Sequence, residues 1–392
     1  MIQFKILKKS QKSRARLGVL KTPHGEIETP ALVPVATQAT VKALSPEDLS
    51  KTKTQLVISN TFHLNLKPGE KIVKRHGGLH KFAKLNLPIM TDSGGYQVFS
   101  LGFGRDLQIG KVSKIESYSP SHAYRQAGLS RGHSILKGTQ PKLLKIKDNG
   151  VLFRSPIDGR EIFIGPRESI KIQEELGADI IFAFDECPPP NADYEYMRKS
   201  VETTGRWARE CLQYKKSKQA LYGIVQGGRF KDLRESSAKF IGALPFDGFG
   251  IGGEFGADKY QMKRMLALVV DNLPESKPRH LLGIGGVADL RPIIQSGMDT
   301  FDCTIPTHYA RHGIAFTSSG RVDLNKSVHL KDKSPVDKKC ACEVCATHSR
   351  GYLSHLIRAR EITPLRLLTI HNLFYFNSLV ENLRAHLKSG KL

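Results

Sequence analysis

The stretch Ile180-Ile181-Phe182-Ala183-Phe184-Asp185 decides the fold of this chain. Five consecutive apolar residues that end in a carboxylate are typical of a strand buried on both faces, with a polar residue where the strand ends. A helical period over Ile170–Leu176 comes immediately before it. A helix followed by a buried strand indicates parallel strands that are joined by crossover helices.

The same kind of apolar run recurs along most of the chain. The other candidate strands are Ala31–Thr37, Gln55–Thr61, Ile89–Asp92, Leu221–Gln226, Gly248–Gly252, His280–Ile284 and Thr300–Cys303. Helical periods between them include Met197–Gln213, Gln261–Asn272 and Leu290–Gln295. Eight such units predict an α/β fold, a (β/α)₈ TIM barrel, with an open doubly wound sheet as the alternative. No Gly-x-Gly-x-x-Gly motif follows the first strand, so a dinucleotide-binding fold has no support.

The pattern divides the chain into three parts. The barrel is predicted over residues 1–318, with a polar, basic insertion at about 102–150. A zinc-binding, helical subdomain that packs on the barrel is predicted over 319–392, with helical stretches at Ser349–Arg360 and Pro364–Lys388. The chain has no run of 18 apolar residues for a membrane span and no signal-peptide pattern at Met1–Lys5, so we expect a cytoplasmic protein.

Positive charge dominates the composition. The chain has 60 Lys and Arg against 37 Asp and Glu, a net charge of +23. Lys5–Lys21 has seven basic residues and no acidic one, Gly102–Gly150 has nine against three, and Asn325–Leu392 has twelve against five. Three separate basic clusters indicate a polyanionic partner, because each phosphate contact releases counterions. Charge alone leaves RNA, DNA and an anionic membrane surface as alternatives.

A cysteine cluster near the C-terminus predicts a metal site. Cys340, Cys342 and Cys345 lie within six residues, and His371 follows in a helix-like run. Three thiolates and one imidazole complete the tetrahedral shell of a structural Zn²⁺ and leave no position for substrate. The alternatives are burial of the cysteines as core residues, or a disulfide pair with one free cysteine. The surrounding residues are polar, and Cys340 and Cys342 are too close in sequence for an unstrained bridge.

Three carboxylates lie at the ends of candidate strands. Asp92 ends the third strand, Asp185 ends the fourth and Asp302 lies in the eighth. In a barrel these ends meet at one mouth, although each aspartate alone could equally cap a helix. Paired carboxylates are suited to cleavage at an anomeric carbon, because one attacks the carbon while the other transfers a proton.

Residues around these carboxylates are suited to binding a nucleobase. The carboxylate of Asp185 and the amide of Gln226 can pair with ring N–H, exocyclic amine and carbonyl groups, and Tyr96 can stack on a base. The residues therefore predict N-glycosidic chemistry on a nucleic acid.

Several motifs resemble those of the tRNA-guanine transglycosylases, or queuine tRNA-ribosyltransferases, of the bacterial type. They are Thr91-Asp-Ser-Gly-Gly-Tyr-Gln97, Phe184-Asp-Glu-Cys187, Gly223-Ile-Val-Gln-Gly227, Phe301-Asp302 with Pro306-Thr307, Asn60-Thr-Phe-His-Leu64, His355-Leu-Ile-Arg358 and the cysteine motif with His371. The resemblance covers nearly the whole chain except Gly102–Gly150.

The resemblance implies a reaction and residue roles. Asp302 matches the nucleophile that forms a covalent intermediate with tRNA, and Asp92 matches the general acid/base. The base would be bound by Ser93, Tyr96, Asp185, Cys187, Gln226, Gly252 and Gly253, and tRNA by Thr307, His308 and Arg311. The enzyme would exchange the wobble guanine of tRNAs with a GUN anticodon (Asp, Asn, His, Tyr) for a 7-substituted 7-deazaguanine, with one structural Zn²⁺ per chain and a homodimeric assembly.

Two departures from the family pattern affect these expectations. The run Gly252-Gly253-Glu254-Phe255-Gly256 replaces the usual apolar-Ala-Val sequence after the paired glycines. Gly256 is the choice of members that use queuine and Glu254 could pair with a cationic amine, whereas Cys187 is the bacterial choice, so the base is either queuine or 7-aminomethyl-7-deazaguanine. His308 replaces the usual Arg of the tRNA contact.

Other functions remain as alternatives. A non-catalytic tRNA-binding subunit of such an enzyme would lack Asp92 and Asp302, which are present here. An ordinary glycoside hydrolase needs stacking aromatics, and the chain has one Trp. An archaeosine-type or DNA-modifying relative is the third alternative, and the archaeosine type normally carries extra C-terminal RNA-binding domains.

Overall fold

The computed structural model describes residues 2–102, 143–155, 157–189, 191–255 and 258–392. In chain order its strands are β1 (Gln3–Lys9), β2 (Arg16–Thr22), β3 (Gly25–Thr29), β4 (Ala31–Pro34), β5 (Val57–Ser59), β6 (Ile89–Thr91), β7 (Leu143–Lys147), β8 (Gly150–Arg154), β9 (Glu161–Ile164), β10 (Ile180–Phe182), β11 (Ala220–Val225), β12 (Gly248–Ile251), β13 (Arg279–Leu281), β14 (Thr300–Cys303), β15 (Ile314–Thr317) and β16 (Gly320–Asp323).

The described helices are α1 (Pro46–Ser50), α2 (Thr61–Leu66), α3 (Glu70–Arg75), α4 (Leu79–Ala83), α5 (Gly95–Gly102), α6 (Pro166–Leu176), α7 (Tyr194–Tyr214), α8 (Lys231–Gly242), α9 (Lys259–Asp271), α10 (Leu290–Gln295), α11 (Ile305–Ala310), α12 (Glu343–Thr347), α13 (Arg350–Arg358) and α14 (Thr363–Lys388), with a 3₁₀ turn at Ser327–Lys331. No helix in these described parts is long and apolar enough to cross a membrane.

Eight parallel strands form the central sheet, and all eight lie within the predicted candidate strands or within one residue of them. The sheet order is β4-β14-β13-β12-β11-β10-β6-β5, which is chain order around a ring. The two ends of this order meet through a parallel bridge between Val35 and Ile58, where Ala36 N–H donates to the Ile58 carbonyl at 2.7 Å. The predicted α/β barrel is therefore confirmed, and an open sheet does not describe it.

The segment around β10 shows how the sequence produces this alternation. Helix α6 has Pro166 in its first turn and ends at Gly177, whose φ of 75° is left-handed and suits glycine. The three residues of β10 are buried. The buried Gln173 side chain accepts the Phe182 N–H at 3.0 Å and donates to the Phe182 carbonyl at 2.8 Å, which fixes the helix against the strand.

A sheet that the sequence did not predict covers the amino ends of the barrel strands. Strands β1, β2 and β3 pair antiparallel, and Leu20 and Ile27 join the apolar cluster inside the barrel. The first basic cluster, Lys5–Lys21, therefore lies largely on this sheet.

Part of the predicted insertion is regular structure. Residues 103–142 lie outside the described residues, but β7 and the start of β8 belong to the antiparallel sheet β7-β8-β9. Val151 and Ile164 of this sheet are buried, and the Phe153 ring lies 5.5 Å from that of Phe62 in α2. Residues 143–150 therefore belong to a packed sheet rather than to an irregular insertion.

The C-terminal elements pack on the outside of the barrel. Helix α14 adds Leu368, Leu373 and Phe376 to the same apolar core as the barrel. It also holds the barrel through Asn377 Nδ2, which donates to the Thr52 carbonyl at 2.7 Å. This docking places the hairpin β15–β16 beside the mouth of the barrel, where Phe316 and Thr317 line the central cavity.

Candidate active site and metal cluster

A cavity of about 890 Å³ opens at the carboxyl ends of the barrel strands. Nine of the predicted site residues line it: Asp92, Ser93, Tyr96, Asp185, Cys187, Gln226, Gly252, Gly253 and Asp302. The three strand-end carboxylates, which lie far apart in the sequence, thus face one space. This is the arrangement expected of a barrel in which the loops after the strands carry the site.

Asp92 follows β6 and is held by hydrogen bonds. Its Oδ1 accepts the backbone N–H of Thr61 at 2.9 Å and of Gly94 at 3.2 Å, and its Oδ2 accepts from Asn60 Nδ2 at 2.6 Å and Gln97 Nε2 at 3.2 Å. Burial nevertheless raises the pKa of Asp92 to about 7, and the negative charge of Asp302 adds to this rise. Near neutral pH this carboxyl group can therefore both give and take a proton.

Asp302 lies on β14 with an exposed side-chain fraction of 14%. Its Oδ1 accepts the Gly283 N–H at 2.8 Å and lies 3.2 Å from His280 Nε2. Because both contacts are made to Oδ1, the other carboxylate oxygen is the one that the described residues leave for a ligand. A carboxylate fixed in this way is suited to nucleophilic attack.

Asp185, Ser93 and Gln226 form one hydrogen-bonded group. Asp185 Oδ1 accepts from Ser93 Oγ at 2.9 Å, and Oδ2 accepts from Gln226 Nε2 at 2.7 Å. The buried Gln226 Oε1 has no hydrogen-bond partner among the described residues. A buried acceptor without a partner is costly, so this oxygen is suited to receive an N–H of a bound molecule.

The paired glycines make room for Gln226. A Cβ on Gly253 would lie 2.6 Å from Gln226 Oε1, and one on Gly252 would lie 3.0 Å from Gln226 Nε2. Gly253 also has a φ of 81°, which disfavours other residues. The Gly-Gly motif therefore has a steric reason, because a side chain here would displace the amide that faces the cavity.

Tyr96 and Cys187 lie at the edge of this group. The Tyr96 side chain is on the first turn of α5 with 49% exposure, and Cys187 is half-buried. A Cβ on the preceding Gly95 would lie 2.6 Å from the Asp185 carbonyl oxygen, so glycine lets α5 approach the strand end. The Tyr96 ring is thus positioned at the cavity wall, where it can stack on a planar ligand.

Some predicted residues lie elsewhere. Glu254 is next to the lining glycines but does not itself line the cavity, and Gly256 lies outside the described residues. Thr307, His308 and Arg311 belong to the end of the barrel after β14, near rather than in the cavity wall. Partial desolvation and the nearby His312, Arg311 and Lys42 lower the pKa of His308 to about 4, so this residue is neutral at pH 7.

Three residues that organise the site have no predicted role. Asn60 binds Asp92, and His280 contacts Asp302. The guanidinium of the buried Arg234 donates to the carbonyls of Gly228 at 2.8 Å and Gly252 at 2.7 Å. Asn60 belongs to the family motif Asn60–Leu64. His280 lies inside a strand and Arg234 inside a helix, and their neighbours in the sequence give no signal of a contact made across the barrel.

The four predicted metal ligands come together. The Sγ atoms of Cys340, Cys342 and Cys345 lie 3.8, 3.4 and 3.4 Å from His371 Nδ1. These separations fit a tetrahedral ion, whose S and N ligands lie about 3.5 Å apart. His371 Nε2 donates to the Phe316 carbonyl at 2.8 Å, which leaves the Nδ1 lone pair for a metal. The cluster is compatible with a closed, structural metal site.

A second group of possible ligands, His24, His80 and Asp179, lies at the amino ends of the strands. The two imidazole rings are stacked with centroids 3.5 Å apart and 14° between their planes. A coordinated ion lies near the plane of each imidazole, so stacked parallel rings cannot both bind it. Asp179 also accepts the Ile89 N–H at 3.0 Å, and we interpret this group as hydrogen-bonded support for the barrel.

The comparisons with known proteins agree on one family. The family profile described as queuine tRNA-ribosyltransferase matches residues 10–124 and 129–392. The match includes most of residues 102–150, so the expectation that this stretch lies outside the family pattern was wrong for all but residues 125–128. The queuine tRNA-ribosyltransferase of Halothermothrix orenii is 43% identical over 393 residues, which covers 100% of this chain and 95% of the relative. Those of Natranaerobius thermophilus and Acetivibrio thermocellus are 43% and 42% identical and cover 98% and 100% of the chain and 94% and 95% of the relatives. Together with the barrel, the paired carboxylates and the cysteine cluster, these matches show that the chain belongs to the queuine tRNA-ribosyltransferase family.

Proposed function

We propose that this chain is a tRNA-guanine transglycosylase that acts by double displacement through a covalent intermediate on Asp302. The observation that carries the proposal is the pairing of two unlike carboxyl groups in one cavity. Asp302 is oriented through a single oxygen, and Asp92 has a pKa of about 7. Two carboxyl groups with separate environments are suited to separate roles.

The first displacement uses both groups. A carboxylate oxygen of Asp302 attacks the anomeric carbon of the wobble guanosine, the bond from this carbon to the base breaks, and Asp92 in its acid form protonates the departing guanine. In the second displacement Asp92 takes a proton from the incoming base, which attacks the same carbon and releases Asp302. Two inversions retain the configuration of the sugar.

We propose that Ser93, Asp185 and Gln226 bind the Watson–Crick edge of the base. The Asp185 carboxylate suits the ring N–H and exocyclic amine of a guanine-like base, and the unpartnered Gln226 Oε1 is a further acceptor. Tyr96 would stack on the base from the exposed side of the cavity. Cys187 and the glycines Gly252 and Gly253 complete the walls.

The base that enters the second displacement is a 7-substituted 7-deazaguanine, either 7-aminomethyl-7-deazaguanine or queuine. Burial raises the pKa of Glu254, and the charge of Arg229 opposes this rise. A bound cationic amine would offset the cost of ionising Glu254 beside the base site. Competition of both bases against labelled guanine distinguishes them, and a failure of queuine to enter tRNA would exclude its direct use.

We propose that tRNA with a GUN anticodon binds beside α11. Lys42, His63, His308, Arg311 and His312 gather here. Desolvation and the neighbouring positive groups lower the pKa values of Lys42, His63 and His308. An anion would relieve this mutual repulsion, which supports a phosphate of the anticodon loop as the ligand of Arg311 and its neighbours, with Thr307 nearby. Because the substrate is tRNA, we place the reaction in the cytoplasm.

We propose that Zn²⁺ occupies the Cys340, Cys342, Cys345 and His371 cluster, since three thiolates and one imidazole suit zinc. We also propose a homodimer. The C-terminal part exposes Val328, Leu330 and Tyr352 on two adjacent elements, and a second copy of the chain would cover them.

The alternative, a non-catalytic tRNA-binding subunit, is tested through the covalent adduct. Wild-type protein mixed with a GUN tRNA and then denatured should carry tRNA, whereas Asp302→Asn should carry none. Asp271→Asn, an exposed carboxylate on α9, serves as the matched control and should still form the adduct. A wild-type chain without adduct or base exchange would favour the non-catalytic alternative, and an adduct on Asp302→Asn would refute the assignment of the nucleophile.

A further inference from the structure

His280 lies between two residues of the neighbouring strand. It is on β13, and Thr300 and Asp302 are two residues apart on β14, so their side chains share one face of the strand. The His280 Nδ1 lies 2.9 Å from Thr300 Oγ1, and the Nε2 lies 3.2 Å from Asp302 Oδ1. The His280 ring is fully buried and packs against Phe182 at a centroid distance of 5.4 Å.

These contacts select one tautomer when the His280 ring is neutral. An ionised Asp302 carboxylate only accepts hydrogen bonds, so Nε2 must carry the hydrogen that faces it. The Nδ1 of the neutral ring is then an acceptor, and the Thr300 hydroxyl donates to it. Thr300 is itself buried, and a buried hydroxyl without a hydrogen-bond partner is costly, so we expect it to donate to Nδ1.

The donors converge on one oxygen of the nucleophile. The Gly283 N–H also donates to Asp302 Oδ1, at 2.8 Å. Two donors on Oδ1 fix the rotation of the carboxylate and direct Oδ2 toward a reacting carbon. When Oδ2 forms its bond to the sugar, the negative charge leaves the carboxylate, and Oδ1 becomes the carbonyl oxygen of an ester. When the incoming base breaks that bond, the charge returns to the carboxylate, where the His280 N–H stabilises it.

We propose that His280 is a positioning residue for Asp302 and that Thr300 holds it in the required tautomer. This inference rests on the proposed function, because it assigns Asp302 as the nucleophile. His280 touches neither base nor ribose in this role, and it acts through the orientation and the charge of Asp302 alone.

Matched substitutions at His280 test the proposal. His280→Gln keeps an N–H donor at nearly the same distance from the backbone, whereas His280→Met fills the space without a donor. We expect His280→Met to slow single-turnover formation of the covalent adduct by on the order of tenfold to a hundredfold, because the carboxylate of Asp302 loses one of the two donors that hold Oδ2 toward the reacting carbon. His280→Gln should recover most of this rate. The KM for the base and the equilibrium affinity for tRNA should change less than threefold in both.

Thr300 provides the second pair. Thr300→Val removes the hydroxyl at constant shape and should slow adduct formation, whereas Thr300→Ser keeps the hydroxyl and should not. Thermal unfolding of all four variants separates an effect on the chemistry from a folding defect. The comparison of His280→Gln with His280→Met, and of Thr300→Ser with Thr300→Val, requires only that the two variants of a pair have similar stability.

The possible results are distinct. Equal rates for His280→Gln and His280→Met, or a rate of His280→Met within threefold of wild type, would overturn the role of His280. A wild-type protein that forms no adduct, or an Asp302→Asn variant that does, would instead overturn the proposed function on which this inference rests.

Discussion

At the scale of single residues, the raised pKa of Asp92 links its proposed role as general acid/base to the stability of the protein. The folded-state pKa of about 7 lies above the ordinary value of 3.8. The stability that this group contributes is therefore fully present below pH 4 and is lost as the pH rises through 7. Near neutral pH Asp92 is therefore divided between its acid and base forms, as a general acid/base requires.

We expect Asp92→Asn to be inactive but more stable than the wild type at high pH. The gain should be small at pH 4.5 and reach at most about 4 kcal/mol at pH 8.5, because the amide cannot ionise. Urea denaturation at both pH values measures it, with Asp271→Asn as the control for loss of one negative charge. A stability difference that does not change with pH would contradict the raised pKa.

His308 is the second residue whose charge state matters. Its pKa of about 4 leaves it neutral at pH 7, so it adds no charge to the proposed tRNA surface. We expect His308→Arg to tighten tRNA binding and to steepen the plot of log K against log salt by roughly 0.7, the value for one additional phosphate contact on a single strand. His308→Gln is the matched neutral control and should bind as the wild type does. An unchanged salt slope for the Arg variant would place this residue away from the tRNA.

At the scale of elements, Arg234 of α8 connects the loops that follow β11 and β12. Besides Gly228 and Gly252, its guanidinium donates to the Glu254 carbonyl at 2.7 Å and lies 4.4 Å from the centroid of the Phe255 ring. Burial lowers the pKa of Arg234 to about 9, which still leaves it charged at neutral pH. The Arg234 side chain thus fixes the backbone of Gly252, against which the Gln226 amide packs.

We expect Arg234→Lys to raise the KM for the base more than the KM for tRNA. A lysine cannot reach three carbonyls with a planar fork, and unpaired buried carbonyls cost about 1–3 kcal/mol each. Steady-state kinetics with each substrate varied, together with thermal unfolding, measures both effects. Lys239→Arg on the exposed face of α8 is the control, and an equal rise of both KM values would argue against a local role in base binding.

The cluster of Cys340, Cys342, Cys345 and His371 is also connected to the cavity, through the strand β15. His371 donates to the Phe316 carbonyl, and the Tyr375 hydroxyl donates to the Thr317 carbonyl at 2.9 Å, so α14 holds the strand β15. Phe316, Thr317 and Tyr375 line the cavity that contains Asp302. The sequence predicted a structural site with no position for substrate, and the structure connects this cluster through β15 to the wall of the cavity.

Removal of the proposed Zn²⁺ should therefore loosen a defined part of the chain. We expect chelation, or Cys342→Ser, to reduce hydrogen-exchange protection in β15, β16, α12 and the adjoining part of α14. The barrel strands β10–β13 should keep their protection, because the helix that carries His371, α14, packs on β2, β4 and β15. Metal content by mass spectrometry accompanies the measurement. Uniform loss of protection would indicate that the barrel and the C-terminal part unfold together.

At the scale of the whole molecule, the first basic cluster, Lys5–Lys21, lies at the amino ends of the barrel strands, whereas the cavity opens at their carboxyl ends. The positive charge is spread over the N-terminal sheet, the C-terminal part and the stretch predicted as an insertion. Because long-range attraction depends on total charge and local recognition on contacts, the two respond differently to salt.

We expect deletion of residues 103–142 to raise the KM for tRNA and to flatten its dependence on salt. This deletion removes seven Lys and Arg and two acidic residues but spares β7. Replacement of the seven basic residues by Gln in the full-length chain is the matched control for loss of charge without loss of length. The KM for the base should not change, and an unaltered affinity for tRNA at all salt concentrations would show that the stretch does not contact it.

How much of the fold and of the site the sequence predicts depends on how far apart in the chain the interacting residues lie. The eight barrel strands were recognisable because burial on both faces makes each strand a continuous apolar run, as in Ile180–Phe182. The sheet β1-β2-β3 was missed because its strands have one exposed face and carry many lysines. The four predicted metal ligands were recognisable because three of them share a short loop.

The sequence by itself thus determined the barrel, the family motifs and the residue types at the mouth, since these depend on neighbouring residues in the chain. Only the tertiary structure decided the pKa of Asp92, the contact of His280 with Asp302 and the connection of the metal cluster to Phe316. Each of these depends on desolvation or on a hydrogen bond between elements. Such effects act over a few ångströms in space, and the fold alone brings together groups that are distant in the chain.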